Sequence, residues 1–257
     1  MGRNMKMADL IQEKGIKQGE PITIALAGNP NTGKSTLFNA LTGLRQHTGN
    51  WPGKTVLQTH GYFSYKDQHY KLMDLPGTYS LIANSADEEV ARDFLCFGRP
   101  DLTIVVVDAT CLERNLNLVL QVTEITSRVI VCLNLMDEAK RKGINIDVER
   151  LGESLGIPVI PTAASKGEGI SSLLKTIYDV SVGRIIPQPV MVSYPSNIED
   201  MISCLEPGII KTLGDCINSR WLALRLIDND YKLLSSIQQY IKPEIAIRSK
   251  HFQEVLA

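Results

Sequence analysis

The sequence predicts an α/β protein with a mostly parallel central sheet, followed by a small all-helical domain. Three observations carry this. Apolar runs of strand length alternate with helical patterns from Leu102 to Val182, and such alternation means a parallel sheet covered on both faces. A glycine-rich stretch, Gly28-Asn29-Pro30-Asn31-Thr32-Gly33-Lys34-Ser35-Thr36, lies between an apolar run and a helical one. Beyond Gly183 the β-alternation stops and only helical spacing continues.

The elements follow in order. Ile22, Ile24, Leu26 and Ala27 read as a buried strand, and 34–41 as the helix after it. Residues 44–54, with Gly49, Pro52 and Gly53, read as a long mobile loop. Strands are expected at 55–65 and 69–73, joined by a turn at 66–68, with an irregular stretch over 78–86. Residues 87–97 have helical spacing, with Val90, Phe94, Leu95 and Phe97 on the apolar side. The continuous apolar runs at 102–107 and 129–133 predict central strands. Helices are expected at 112–126, 147–155 and 170–182, and a strand at 157–160. Pro187-Gln188-Pro189 reads as a linker, and 196–204, 209–216, 219–227 and 231–241 as short helices. This divides the chain into a lead-in (1–20), an α/β domain (21–183) and a helical domain (184–257).

Composition narrows the function. With 257 residues, 44% of them hydrophobic, the chain can bury one large core and a small appendage. A net charge of -1 gives no basis for electrostatic capture of nucleic acid, so none is expected as a partner. No apolar run approaches the roughly 18 residues of a membrane span, and the polar first residues show no secretory signal. The 5 cysteines are scattered, with no C-x-x-C, which fits a reduced, cytoplasmic protein. These and the 4 histidines show no metal-ligand spacing, so no Cys/His metal site is expected.

The glycine-rich stretch matches G-x-x-x-x-G-K-[ST], the phosphate-binding loop. Gly28 and Gly33 permit backbone angles and close approaches that a side chain would block. The loop's N–H groups then face phosphate oxygens at the N-terminus of a helix. Lys34 should reach the β- and γ-phosphates, and Ser35 should offer its hydroxyl to Mg²⁺. Asp74-Leu75-Pro76-Gly77 ends a strand; Asp74 would hold Mg²⁺ and the Gly77 N–H would sense the γ-phosphate. Thr55 is the candidate second hydroxyl for Mg²⁺, engaged only with the γ-phosphate present. Asn134-Leu135-Met136-Asp137 ends a buried strand. The Asp137 carboxylate would accept from the ring N–H and amine of guanine, which adenine cannot supply in that arrangement. At Thr162-Ala163-Ala164, a free backbone N–H could meet the guanine carbonyl.

These four motifs, in this order, resemble the Ras-like P-loop GTPase set over 22–182. More narrowly, Gly49-Asn50-Trp51-Pro52-Gly53 before Thr55, Asp74-Leu75-Pro76-Gly77-Thr78-Tyr79-Ser80 and Glu89-Val90-Ala91-Arg92-Asp93 resemble the G domain of FeoB-type ferrous iron transporters. In that family a G domain is followed by a small helical domain and a membrane permease. The resemblance therefore implies GTP/GDP and Mg²⁺ as ligands, with Gly53 and Lys54 beside Thr55 in the nucleotide site. It also implies ferrous iron transport, a permease portion as partner and a place on the cytoplasmic side of the bacterial inner membrane. A homo-oligomer is left open. Asn31 stands where potassium-activated relatives use an Asn to help hold K⁺, with carbonyls of 49–51 as further ligands. The resemblance thus assigns Asn31, Lys34, Thr55 and Gly77 to hydrolysis.

The sequence departs from the pattern at four points. Ala163-Ala164 replaces the usual Ser-Ala, Ser165 stands where many GTPases have a base-flanking Lys, and Lys54 replaces an apolar residue. Thr78 occupies the place of the water-orienting Gln and is too short for that role, and no arginine finger is legible near Arg45. Slow intrinsic turnover is expected. Two other readings remain open: a potassium-activated GTPase of ribosome assembly or tRNA modification, and a nucleotide-sensing module that acts by binding alone.

Overall fold

The computed structural model describes residues 20–44, 46–51, 55–82 and 85–240. The lead-in before residue 20, Arg45, Gly53, Lys54 and the segment from 241 onward lie outside the described residues. One sheet of seven strands runs in the order β2-β3-β4-β1-β5-β6-β7. Its strands are β1 (Ile22–Gly28), β2 (Gln46–Asn50), β3 (Leu57–Tyr65), β4 (Gln68–Asp74), β5 (Leu102–Asp108), β6 (Val129–Asn134) and β7 (Val159–Pro161). The β4-β1-β5-β6-β7 block is parallel, while β2 and β3 add an antiparallel edge.

Strand alternation splits the core into two layers. Ile24, Leu26, Leu72, Ile104, Val106 and Ile130 face one side, under α1 (Lys34–Thr42) and α6 (Ile170–Ser181). Ala25, Ala27, Met73, Val105, Val107 and Val131 face the other, under α2 (Ala86–Phe97) and α3 (Leu112–Ile125). Two short helices, α4 (Met136–Arg141) and α5 (Val148–Leu155), separate β6 from β7. Helix starts follow capping chemistry: the Ser85 side chain accepts from the Glu88 N–H, Asp147 from Arg150 and Asn218 from Trp221.

The helical domain consists of α7 (Ser196–Leu213), α8 (Ser219–Ile227) and α9 (Tyr231–Tyr240). Its Ile202, Ile209, Trp221, Leu222, Leu233 and Ile237 join the same apolar cluster as α2 and α3. A piece this small gains little from a core of its own, and it shares that of the α/β domain.

Two expectations are corrected. Residues 46–50, read as part of a mobile loop, form strand β2, paired with β3 from Gln46↔Gly61 to Asn50↔Leu57. All five residues of β2 are exposed. With neither face buried there is no hydrophobic period to read; backbone pairing with β3 makes the strand, with His47 stacked on His60 at 5.2 Å between ring centroids. The two helices expected at 196–204 and 209–216 form one helix, α7, with Pro207 inside it, then a 3-10 turn at Gly214–Cys216. Pro207 removes one N–H donor but its fixed φ is already helical. Helix α4, six residues long, is too short to show a helical period in the sequence.

Candidate nucleotide-binding site

The carboxyl ends of β1, β4 and β6 deliver Gly28, Asp74 and Asn134 to one end of the sheet, where parallel sheets place their ligands. At Gly28 an added Cβ would stand 2.8 Å from the Val106 carbonyl oxygen, so only glycine fits. The loop then turns on two left-handed residues, Asn31 at φ +67 and Gly33 at φ +81. Asn is the side chain that best tolerates this region. The buried Thr32 hydroxyl donates to the Asn29 carbonyl at 2.9 Å. Pro30, Asn31, Ser35 and Thr36 are exposed on the open side of the loop.

Two backbone bonds fasten the D-x-x-G segment to this loop. Leu75 N–H donates to the Leu26 carbonyl at 3.0 Å and Thr78 N–H to the Gly28 carbonyl at 3.2 Å. Gly77 therefore lies against Pro30. The Lys34 ammonium pairs with the Asp74 carboxylate, the side chains being 11% and 17% exposed. Burial pushes the Asp74 carboxyl above its usual range, against the opposing pull of Lys34. Lys34, Thr55, Asp74 and Gly77 line one open cavity of ≈ 580 Å³. The hydroxyls of Ser35 and Thr55 and the Asp74 carboxylate are hard oxygen donors, the set Mg²⁺ prefers. A larger groove, ≈ 1050 Å³, lies between Phe97–Asp101, the Pro187–Pro189 linker and Cys216–Arg220 and contains none of the motifs.

At the base end, Asn134 is 1% exposed and wholly engaged. Its Nδ2 donates to the Thr32 carbonyl at 2.9 Å. Its Oδ1 accepts from the Ala164 N–H at 3.0 Å and the Thr162 hydroxyl at 3.1 Å. Asn134 is thus a tie between the phosphate loop and the base loop. Asp137 sits in the first turn of α4. Its Oδ1 is buried with no hydrogen-bond partner, an acceptor suited to an N–H of guanine. Its Oδ2 pairs with Lys166 Nζ at 2.9 Å, and that hydrogen bond holds the carboxyl below its usual range.

One sequence expectation changes here. The Ala163 N–H bonds the Glu168 carbonyl at 3.1 Å and the Ala164 N–H bonds Asn134, so neither is free. Partners outside the Ala164–Lys166 turn, Glu168 and Asn134, take them up. Lys166, one place after Ser165, was missed; its signal was a lysine in the same turn. Thr78 is buried and its hydroxyl donates to the Ser80 carbonyl at 2.6 Å, so it faces its own loop. Asn29 is buried with both side-chain polar atoms unpartnered.

Fold and site together define an α/β domain of the P-loop class, with the strand-end motifs gathered at one end of its sheet. Residues 22–177 match the family model for Ferrous iron transport protein B, and residues 194–257 match the FeoB cytosolic helical domain. The chain belongs to the FeoB family, of which it carries the G domain and the cytosolic helical domain. The Fe(2+) transporter FeoB of Salmonella typhimurium is 49% identical over 213 residues, 81% of this chain and 27% of that protein. That of Escherichia coli K12 is 41% identical over 216 residues, again 81% and 27%. This chain thus spans about a quarter of these relatives' length. Among solved structures, the cytosolic domain of T. maritima FeoB in its GDP form is 38% identical, with TM-score 0.78, covering 89% of this chain and 90% of that one. Its GMPPNP form gives TM-score 0.77 over 88% and 90%.

Proposed function

We propose that this chain is a slowly hydrolysing GTP switch that regulates ferrous iron transport through the membrane portion of its transporter. The supporting observation is the joining of the two halves of the site. Asn134 binds the phosphate loop to the base loop, and Lys34 and Asp74 meet beside Gly77. In this reading the loop amides and Lys34 grip the phosphates, Asp137 checks the base, and Gly77 registers the γ-phosphate. Ser35, Asp74 and Thr55 would hold Mg²⁺, which neutralises charge on the phosphate oxygens. Turnover is slow because Thr78 is turned away and cannot orient water. Asn31, exposed on the loop, would help hold K⁺ in place of an arginine finger. The chain's membership of a transporter family carries the link to iron, and the whole transporter's activity is part of the proposal.

Affinities for GTP, GDP and ATP, with hydrolysis rates in K⁺ and in Na⁺, test this on the full chain. Guanine nucleotides should bind at least tenfold tighter than ATP. Hydrolysis should be faster in K⁺, and Asn31→Ala should remove that difference. Equal binding of ATP and GTP would overturn the switch reading. Equal rates in both salts would overturn the potassium site alone.

A further inference from the structure

Helix α3 presents Arg114, Asn117, Gln121 and Glu124 at spacings of three and four, which set them along one face. One end of this stripe grips the segment after Gly77. The Arg114 guanidinium lies 4.3 Å from the Tyr79 ring centroid. Gln121 Oε1 accepts from the Leu81 N–H at 2.7 Å and from the Ser80 hydroxyl at 3.2 Å. Its Nε2 donates to Asn117 Oδ1 at 3.4 Å.

The other end grips the helical domain. The Tyr194 hydroxyl donates to the Glu124 carboxylate. The Tyr194 N–H donates to Glu199 Oε1 at 3.0 Å, and Glu199 takes two Arg220 nitrogens, each at 2.7 Å. Burial, then the Glu124 bond, raise the Tyr194 phenol to about 12, so it keeps its proton at neutral pH. Between the two grips is a cavity of ≈ 240 Å³ lined by Ile82, Gln121, Tyr194, Trp221 and Arg225.

We propose that Gln121 is a positioning residue that holds the segment after D-x-x-G and, through Glu124 and Tyr194 one turn along α3, couples that segment to the helical domain. This rests on the reading of that segment as the γ-phosphate sensor. The physical case is one of rigidity. Leu118, Val119 and Val122 of α3 are fully buried, so the helix moves as a packed unit or not at all. A shift of Ser80 and Leu81 must carry Gln121 with it or break two hydrogen bonds. The buried Leu81 N–H would then lose its acceptor, and a buried donor left unpaired is the costly outcome. The adjoining cavity gives Ile82 and Gln121 room to move without overpacking Trp221.

The chain has 2 tryptophans: Trp51, whose N–H bonds the Val56 carbonyl beside Thr55, and Trp221, which lines the cavity beside Gln121. Fluorotryptophan labelling therefore gives one resonance for Trp51 and one for Trp221, which Trp51→Phe assigns. Both should shift when GDP is exchanged for a non-hydrolysable GTP analogue. Gln121→Leu and Tyr194→Phe should each keep the Trp51 shift and lose that of Trp221. Gln121→Glu, which keeps the acceptor oxygen, should restore it. A Trp221 shift that survives both variants, or is missing from the parent protein while Trp51 responds, overturns the coupling. Both resonances indifferent to the analogue, in protein shown to bind it, overturn the sensor reading and the coupling with it.

Discussion

The side-chain amide of Asn134 donates to the Thr32 carbonyl at 2.9 Å, so the last residue of β6 holds the phosphate loop in place. The same amide accepts from Thr162 and Ala164. Asn134→Ala would take from the Thr32 carbonyl and the Ala164 N–H the partner that Asn134 supplies, while the Thr162 hydroxyl keeps Cys132 Sγ at 3.1 Å. Each such group costs on the order of 1–3 kcal/mol. The expected outcome is a loss of about 3 kcal/mol in urea unfolding of the nucleotide-free protein. GDP affinity should fall about tenfold or more, because both loops lose their shared anchor. A variant with normal stability and weaker GDP binding would instead make Asn134 a direct ligand contact.

Gly33 is constrained from two directions. Its φ of +81 disfavours any side chain, and an added Cβ would stand 2.4 Å from Asn134 Nδ2. Adopting the left-handed region costs about 1–2 kcal/mol for a non-glycine residue. The contact also forces Asn134 off the Thr32 carbonyl. Gly33→Ala should therefore lose GDP binding by more than about tenfold, as read by equilibrium dialysis. Gly43→Ala is the control: it shares the positive φ, +63, but meets nothing within 4 Å. It should cost stability and leave affinity nearly unchanged.

Much of this site was legible because its chemistry depends on short local patterns. The Gly28–Thr36 motif places its own strand end and helix start, and the apolar runs of β5 and β6 announce a central parallel sheet. What stayed hidden depends on long-range partners. Strand β2 is exposed on both faces and is defined by its partner β3, through backbone pairing and the His47–His60 stack. The use of the Ala163 and Ala164 N–H groups depends on Glu168 and Asn134. Nor does spacing reveal that Arg92 and Asp93, charged neighbours on a helix, are both buried. The partner that admits them, Ser236, stands far along the chain on α9.

The junction with the helical domain should be acid-sensitive. The hydrogen bond from Arg220, then that from the Tyr194 N–H, holds the Glu199 carboxyl at about 2 against an ordinary value of 4.5. The unfolded chain therefore binds this proton more readily than the folded one, and stability rises with pH across that window. The contribution is complete above pH 4.5 and fades as pH falls toward 2. Far-UV circular dichroism on acid titration should show Glu199→Gln with a shallower loss of stability across this range. An identical pH dependence in the variant would mean that the Arg220 pair contributes nothing to folding.

Arg92 on α2 is 0% exposed and makes two bonds to Asp93 Oδ1, at 3.0 and 2.8 Å. It also donates to the Ser236 hydroxyl at 3.0 Å, which in turn donates to Asp93 Oδ2 at 3.2 Å. Asp230 Oδ2 lies 3.7 Å from Nη1. Burial pushes the Asp93 carboxyl up, and Arg92 opposes it. Removing one partner of such a pair leaves a buried charge uncompensated, at about 3–5 kcal/mol, whereas replacing both is often close to neutral. Arg92→Met should accordingly destabilise the chain by about that amount in urea unfolding. Arg92→Met with Asp93→Asn should recover a large part of the loss. Equal losses in the single and double variants would show that the guanidinium acts through packing against α9 rather than by compensating Asp93.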